Sequence, residues 1–286
     1  MNAWNELWSC KRYLIGLIAI FCSCRSDDTT TTTTDQAENK IKIDLNDTKQ
    51  TIRNFGASDA WTCQYVGKWP DAKRNQVADW LISKDVDENG KPKGIGLSLW
   101  RFNVGAGSSA QQHISDPWRR TECFLKDDGT YDWSRQSGQQ WFLNAAKLRG
   151  VDKFLAFTNS PPVTMTKNGK AFSSQGDEAN LSADRYPDFT GFLADVLDHF
   201  KNSDTPFDYI SPFNEPQWDW MGNGQEGSPY KNTEIFSVTK LLDSTLTQRG
   251  LQTNIQIAEA GKLNYLFETG DKPGRGDQIG QFFVTL

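Results

Sequence analysis

Histidine is nearly absent: the 286-residue chain has two, His113 and His199. Serine-hydrolase chemistry needs a histidine base beside its nucleophile, and neither histidine accompanies a Gly-x-Ser-x-Gly turn. His-Glu-x-x-His and paired Cys-x-x-Cys spacings are also missing, so no metal site and no cofactor is expected. Positive charge is scarce as well. A net charge of −5 and a pI near 5.2 remove the electrostatic footprint that nucleic-acid binders set against phosphate. The first strand lacks the Gly-rich phosphate loop that a nucleotide-binding doubly wound sheet requires. Gly94-Ile95-Gly96 is the nearest match, and it precedes a strand rather than following one. Cysteine is sparse, five in all.

Tryptophan, by contrast, is abundant. Eleven residues supply flat apolar faces with a polar edge, which suit sugar rings as well as a core. The N-terminus places Lys11 and Arg12 before an apolar run over 13–21 that ends in Cys22-Ser23-Cys24. A charged segment followed by a short apolar one predicts a secretory leader over 1–24, too short to span a bilayer. Phe21-Cys22-Ser23-Cys24 resembles a loose bacterial lipobox, with Cys24 as the lipidated residue. That predicts an exported protein, anchored as an outer-membrane or cell-surface lipoprotein and touching the membrane only through its lipid. Six threonines over 29–34 open a stretch with nothing to bury, so 25–39 reads as a flexible tether. The globular part is expected over 40–286. Export would leave Cys24, Cys63 and Cys123, hence at most one internal disulfide; whether Cys63 and Cys123 pair stays open at this level.

Downstream, strand and helix periods alternate. Strands are predicted over 41–45, 52–57, 94–104, 153–158, 209–213 and 255–258. Helices are predicted over 71–83, 138–148, 183–200 and 233–248. Such alternation predicts an α/β fold with a parallel sheet and helical crossovers. A closed barrel is preferred because polar and aromatic clusters follow successive strands, where barrel enzymes place their chemistry. Asp59 and Trp61 follow the first barrel strand, Arg101 and Asn103 end the second, Asn159 follows the third, and Asn214-Glu215-Pro216 follows the fourth. Glycosidic cleavage needs a carboxylic acid to protonate the leaving oxygen and a second carboxylate to attack or to activate water. Glu215 fits the first role, and the amide of Asn214 is placed to bond a sugar 2-hydroxyl.

The runs Asn54-Phe55-Gly56-Ala57-Ser58-Asp59-Ala60-Trp61, Leu99-Trp100-Arg101-Phe102-Asn103-Val104-Gly105 and Thr158-Asn159-Ser160-Pro161-Pro162 carry a family resemblance. Met165-Thr166-Lys167-Asn168-Gly169, Pro212-Phe213-Asn214-Glu215-Pro216-Gln217-Trp218-Asp219-Trp220 and Ala258-Glu259-Ala260-Gly261 continue it. Across about 40–286 the chain resembles glycoside hydrolase family 30, in the subgroup associated with endo-β-1,6-galactanases. The resemblance implies a (β/α)8 TIM barrel and a metal-free retaining β-glycosidase that hydrolyses β-1,6-galactan side chains of plant-type arabinogalactan. Glu215 would be the acid/base, and Arg101 would hold the nucleophilic carboxylate ionised. Asp59, Trp61, Asn159, Trp220 and Glu259 would be substrate-binding. The family's nucleophilic glutamate ends a seventh strand within a Trp-x-Ser-Glu-Tyr-like run that these 286 residues do not contain. The nucleophile is therefore expected to be absent from the chain, and the barrel to comprise about its first five βα units. An N-terminal strand over 41–45 would belong to a side β-sandwich. A β-1,6-glucanase, another family 30-like β-glycosidase, or a non-catalytic surface glycan-binding lipoprotein are the alternatives.

Overall fold

The computed structural model describes residues 42–284; the expected leader, Cys24 and the tether lie outside them. Taken alone, residues 42–50 form no strand. Asp44 turns the chain there: its carbonyl accepts from the Asp47 amide (3.3 Å) and its Oδ1 from the Asn46 amide (3.0 Å). A short polar side chain bonded to its own backbone competes with strand pairing, which is why the side-sandwich strand expected over 41–45 is not seen.

From residue 51 onward the chain builds one sheet of five parallel strands in sequential order: β1 (Gly56–Ser58), β2 (Leu99–Asn103), β3 (Lys153–Phe157), β4 (Tyr209–Ser211) and β5 (Asn254–Ile255). Register runs Ser58 to Arg101, Arg101 to Leu155, Phe157 to Ser211 and Ile210 to Ile255. Helices α1 (Cys63–Val66) and α2 (Asp71–Ile82) join β1 to β2, and α3 (Ser108–Gln111) and α4 (Ser137–Leu148) join β2 to β3. Helix α5 (Tyr186–Asn202) leads to β4, and α6 (Asn232–Gln248) leads to β5.

Several elements end earlier than their hydrophobic pattern predicts, each for a local reason. The amides of Ile95 and Leu97 are spent on the Trp80 and Leu81 carbonyls of α2, so β2 begins only at Leu99 rather than at residue 94. Pro212 has no N–H to give a ladder, which stops β4 at Ser211. Ala258 adopts a left-handed backbone (φ 71°), so the strand expected over 255–258 is cut short. On α5, Phe189, Phe192, Leu193, Val196, Leu197 and Phe200 are buried at helical spacing. Ile235, Val238, Leu242 and Leu246 do the same on α6. These stripes seat the helices on the sheet. Where α1 meets α4, a Cβ on Gly67 would lie 2.1 Å from the Gly138 carbonyl oxygen, so the close approach requires glycine. No described helix is long and apolar enough to cross a membrane.

Between sheet and helices, Phe102 of β2 stacks parallel to Phe124 (6.5 Å between centroids) and meets Phe200 (5.4 Å) and Phe207 (5.6 Å). Its neighbours Arg101 and Asn103 alternate to the opposite face. Cys63 and Cys123 are both buried and free; burial pushes the Cys123 thiol up to about 12, so neither is poised to react. Replacing Phe102 by Ala removes a wholly buried ring from this cluster and is expected to cost about 3–5 kcal/mol in urea unfolding. A loss below about 1 kcal/mol would show that sheet and helices do not share this core.

Candidate active site

Parallel strands all deliver their carboxyl ends to one side, and the sequence-predicted residues gather there around Arg101. From β2, its guanidinium bonds Asn214 Oδ1 (3.0 Å) and pairs with the Glu259 carboxylate. It reaches back to Ser58 Oγ at the end of β1 (3.5 Å) and lies 3.2 Å from the ring centroid of Phe157, the last residue of β3. From β2, one side chain therefore touches residues at or just past the ends of the other four strands. Glu259, four residues past β5, is thus brought back across the strand ends to Arg101 of β2, a convergence in keeping with the strand order of a barrel. Desolvation lowers the Arg101 pKa, and the charges of Glu259, Asp59 and Glu215 work against that shift.

Glu215 occupies the turn beyond β4 with a left-handed backbone (φ 45°), a conformation that costs a non-glycine residue about 1–3 kcal/mol and clusters at functional sites. Its amide donates to the Glu259 carbonyl (2.9 Å). Desolvation raises the carboxyl's pKa; Trp218 and Arg101 pull it down, and Glu259 adds to the rise. A half-buried carboxyl group whose pKa is raised by desolvation is displaced in the direction a general acid needs. Arg101 separates the electrostatics of the two carboxyls, since it pairs directly with Glu259 and not with Glu215.

Beneath this mouth lies a polar layer. Asp59 and Asn159, expected at the substrate, are both buried. Asp59 Oδ1 accepts from the Asn103 amide (2.8 Å) and Gln139 Nε2 (3.3 Å), and Asn159 Nδ2 donates to Asn103 Oδ1 (3.1 Å). Gln136 Nε2 also donates to the Asn103 carbonyl (2.7 Å). These groups brace the ends of β1, β2 and β3 from below. Trp61 is half-buried beside Arg119, whose guanidinium sits 5.1 Å from its ring. The Trp220 indole N–H donates to the Glu215 carbonyl (3.0 Å).

Sequence reasoning missed Glu226. It is fully buried in the loop after β4, where its carboxylate accepts from the amides of Ala106 (3.1 Å) and Ser108 (3.2 Å) and the hydroxyls of Ser108 (2.6 Å) and Thr121 (2.7 Å). Desolvation nevertheless raises its pKa. The only signal was an acid inside a glycine-rich stretch, which reads as a solvated turn. Among the described residues no group of His, Cys, Asp and Glu is arranged to hold a metal.

Burial pushes the Asp59 carboxyl up to about 7, against the Asn103 amide, Gln139 and Arg101. Its folded value thus exceeds its unfolded value of 3.8, so the folded state binds more protons between the two and loses stability as pH rises through that window. Relative to Asp59→Asn, the native protein is expected to lose up to ~4 kcal/mol between about pH 4 and about pH 7, read from urea midpoints. A flat difference would mean that Asp59 is already ionised at the low end.

The family model for O-glycosyl hydrolase family 30 matches residues 38–285. An endo-β-1,6-galactanase of Hypocrea rufa is 26% identical over 255 residues, covering 82% of this chain and 52% of that enzyme. An exo-β-1,6-galactobiohydrolase of Bifidobacterium longum subsp. longum is 24% identical over 190 residues, covering 53% of this chain and 12% of that protein. The crystal structure of a conserved exported protein from Bacteroides fragilis superposes with a TM-score of 0.79 at 41% identity, covering 83% of this chain and 50% of that one. Thus the chain spans about half the length of the galactanase and of that structure. Parallel strands in sequential order, strand exits that meet at Arg101 and a match over nearly the whole described chain converge on one conclusion: the chain belongs to glycoside hydrolase family 30, whose folds are (β/α)8 barrels.

Proposed function

We propose that this chain carries the acid/base side of a retaining β-glycosidase acting on β-1,6-linked galactan, with Glu215 as the proton donor. The observation that carries the reading is a desolvated carboxyl group at the carboxyl ends of the strands, beside an arginine already paired with a second carboxylate. In the first step the Glu215 carboxylic acid gives its proton to the glycosidic oxygen as the C1–O bond breaks, while a carboxylate nucleophile bonds C1 from the opposite face. In the second step the Glu215 carboxylate takes a proton from the water that attacks C1, which frees the nucleophile. Asn214, fixed by Arg101, bonds the sugar 2-hydroxyl, and Glu259 lines the cleft. The nucleophile belongs to a seventh-strand glutamate in a run that these 286 residues do not contain.

Galactan is favoured over glucan because curated relatives in sequence are a β-1,6-galactanase and a β-1,6-galactobiohydrolase. Export with lipid attachment at Cys24 suits a polymer too large to enter a cell. A second reading is a surface protein that binds the same glycan without cleaving it.

Glu215→Gln separates the two readings. In a protein that also carries the seventh-strand glutamate, cleavage of β-1,6-galactooligosaccharides is expected to fall about 10²–10⁴-fold on substitution, with galactobiose binding retained and galactose rather than glucose oligomers as products before it. Binding without cleavage by that protein before substitution would favour the binder. Cleavage undiminished by the substitution would remove Glu215 from the mechanism.

A further inference from the structure

We propose that Trp220 is a positioning residue that locks the backbone of Glu215, and that Gly227 and Glu226 form the base it stands on. The inference rests on Glu215 being the acid/base and concerns what holds it.

All main-chain hydrogen-bonding groups of Glu215 are engaged. Its amide donates to the Glu259 carbonyl (2.9 Å), and its carbonyl accepts both the Trp218 amide (3.1 Å) and the Trp220 indole N–H (3.0 Å). Trp220 has a left-handed backbone of its own (φ 50°), and its carbonyl accepts the Ser173 amide (2.8 Å). The indole rests against Gly227: a Cβ there would fall 2.3 Å from ring atom Cδ2 and 2.4 Å from Cε3. Gly227 donates its amide to the Ala171 carbonyl (2.8 Å). The preceding residue is Glu226, whose buried carboxylate gathers the amides and hydroxyls of 106, 108 and 121. A continuous set of contacts therefore runs from the loop after β2, through Glu226 and Gly227, across the indole, to the Glu215 carbonyl. With its N–H bonded to the Glu215 carbonyl and its ring against Gly227, Trp220 has lost the polar edge that a sugar hydroxyl would take and is held in place from one side.

The test is a ¹³C titration of the Glu215 carboxyl, assigned through Glu215→Gln, in the full chain and in two variants. Trp220→Phe keeps an aromatic ring but deletes the N–H; Gly227→Ala displaces the ring from its other side. Arg101 and Glu259 are the charged groups that face Glu215, and neither is altered. With the lock removed, Glu215 is expected to turn toward water and its midpoint to fall by about one unit, while the thermal midpoint moves by only a few degrees and galactobiose affinity changes less than about tenfold. If one variant does not fold, the other decides. A folded variant with an unmoved Glu215 midpoint overturns the proposal, as does a loss of galactobiose binding with the midpoint unchanged. No substrate turnover enters the titration, so failure of Glu215 as acid/base in cleavage would leave this result readable by itself.

Discussion

One guanidinium holds the carboxyl end of the sheet together. Arg101 reaches Ser58, Phe157, Asn214 and Glu259 from its own place on β2, and those contacts depend on the strand exits converging on it. The dependence also runs the other way. A half-buried charge of this kind is costly unless paired and hydrogen-bonded, so Glu259 and Asn214 must be delivered to it by the exits of β4 and β5. Geometry of the fold and electrostatics of the site are therefore one constraint, met at the same atoms.

The two faces of the sheet divide the work. Outward-facing side chains such as Phe102 and Trp100 bury area against the helices, while Arg101 and Asn103 turn to the inner face. Below Arg101, Asp59, Asn103, Gln136, Gln139 and Asn159 are joined by hydrogen bonds, although Asp59 Oδ2 and Asn103 Nδ2 are buried without a partner, a cost that buried polar groups usually avoid. Above it the backbone is less relaxed, with Glu215, Trp220 and Ala258 all left-handed. A rigid polar floor under a strained rim is an arrangement that fixes side chains for chemistry rather than one that maximises stability.

Much of this was legible in the sequence because it depends on local pattern. Stripes at helical spacing placed α5 and α6, and β2 and β3 were recognisable as short runs buried on both faces. The Asn-Glu-Pro turn marked Glu215 through its position after a strand. What was not legible depends on partners distant in sequence. Glu226 meets Ser108 across more than a hundred residues, and nothing near it in the chain announces a buried carboxylate. Asp59 and Asn159 are marked by their places after strands, but their bonds to the Asn103 amide and side chain could not be read from the sequence. The strand expected over 41–45 had the right alternation, but Asp44 captures the backbone that pairing would need.

A hollow of about 690 Å³ lies at the opposite end of the strands, among Lys147, Phe154, Asp208 and Thr253. It competes with the site proposed at Arg101. Amide chemical-shift mapping of the labelled protein during titration with β-1,6-linked galactobiose separates the two most directly. Perturbations are predicted at Asn103, Asn159, Asn214, Glu215 and Glu259, at the carboxyl ends of the strands. Perturbations confined to Asp152, Asp208 and Thr253 would contradict the assignment of the site.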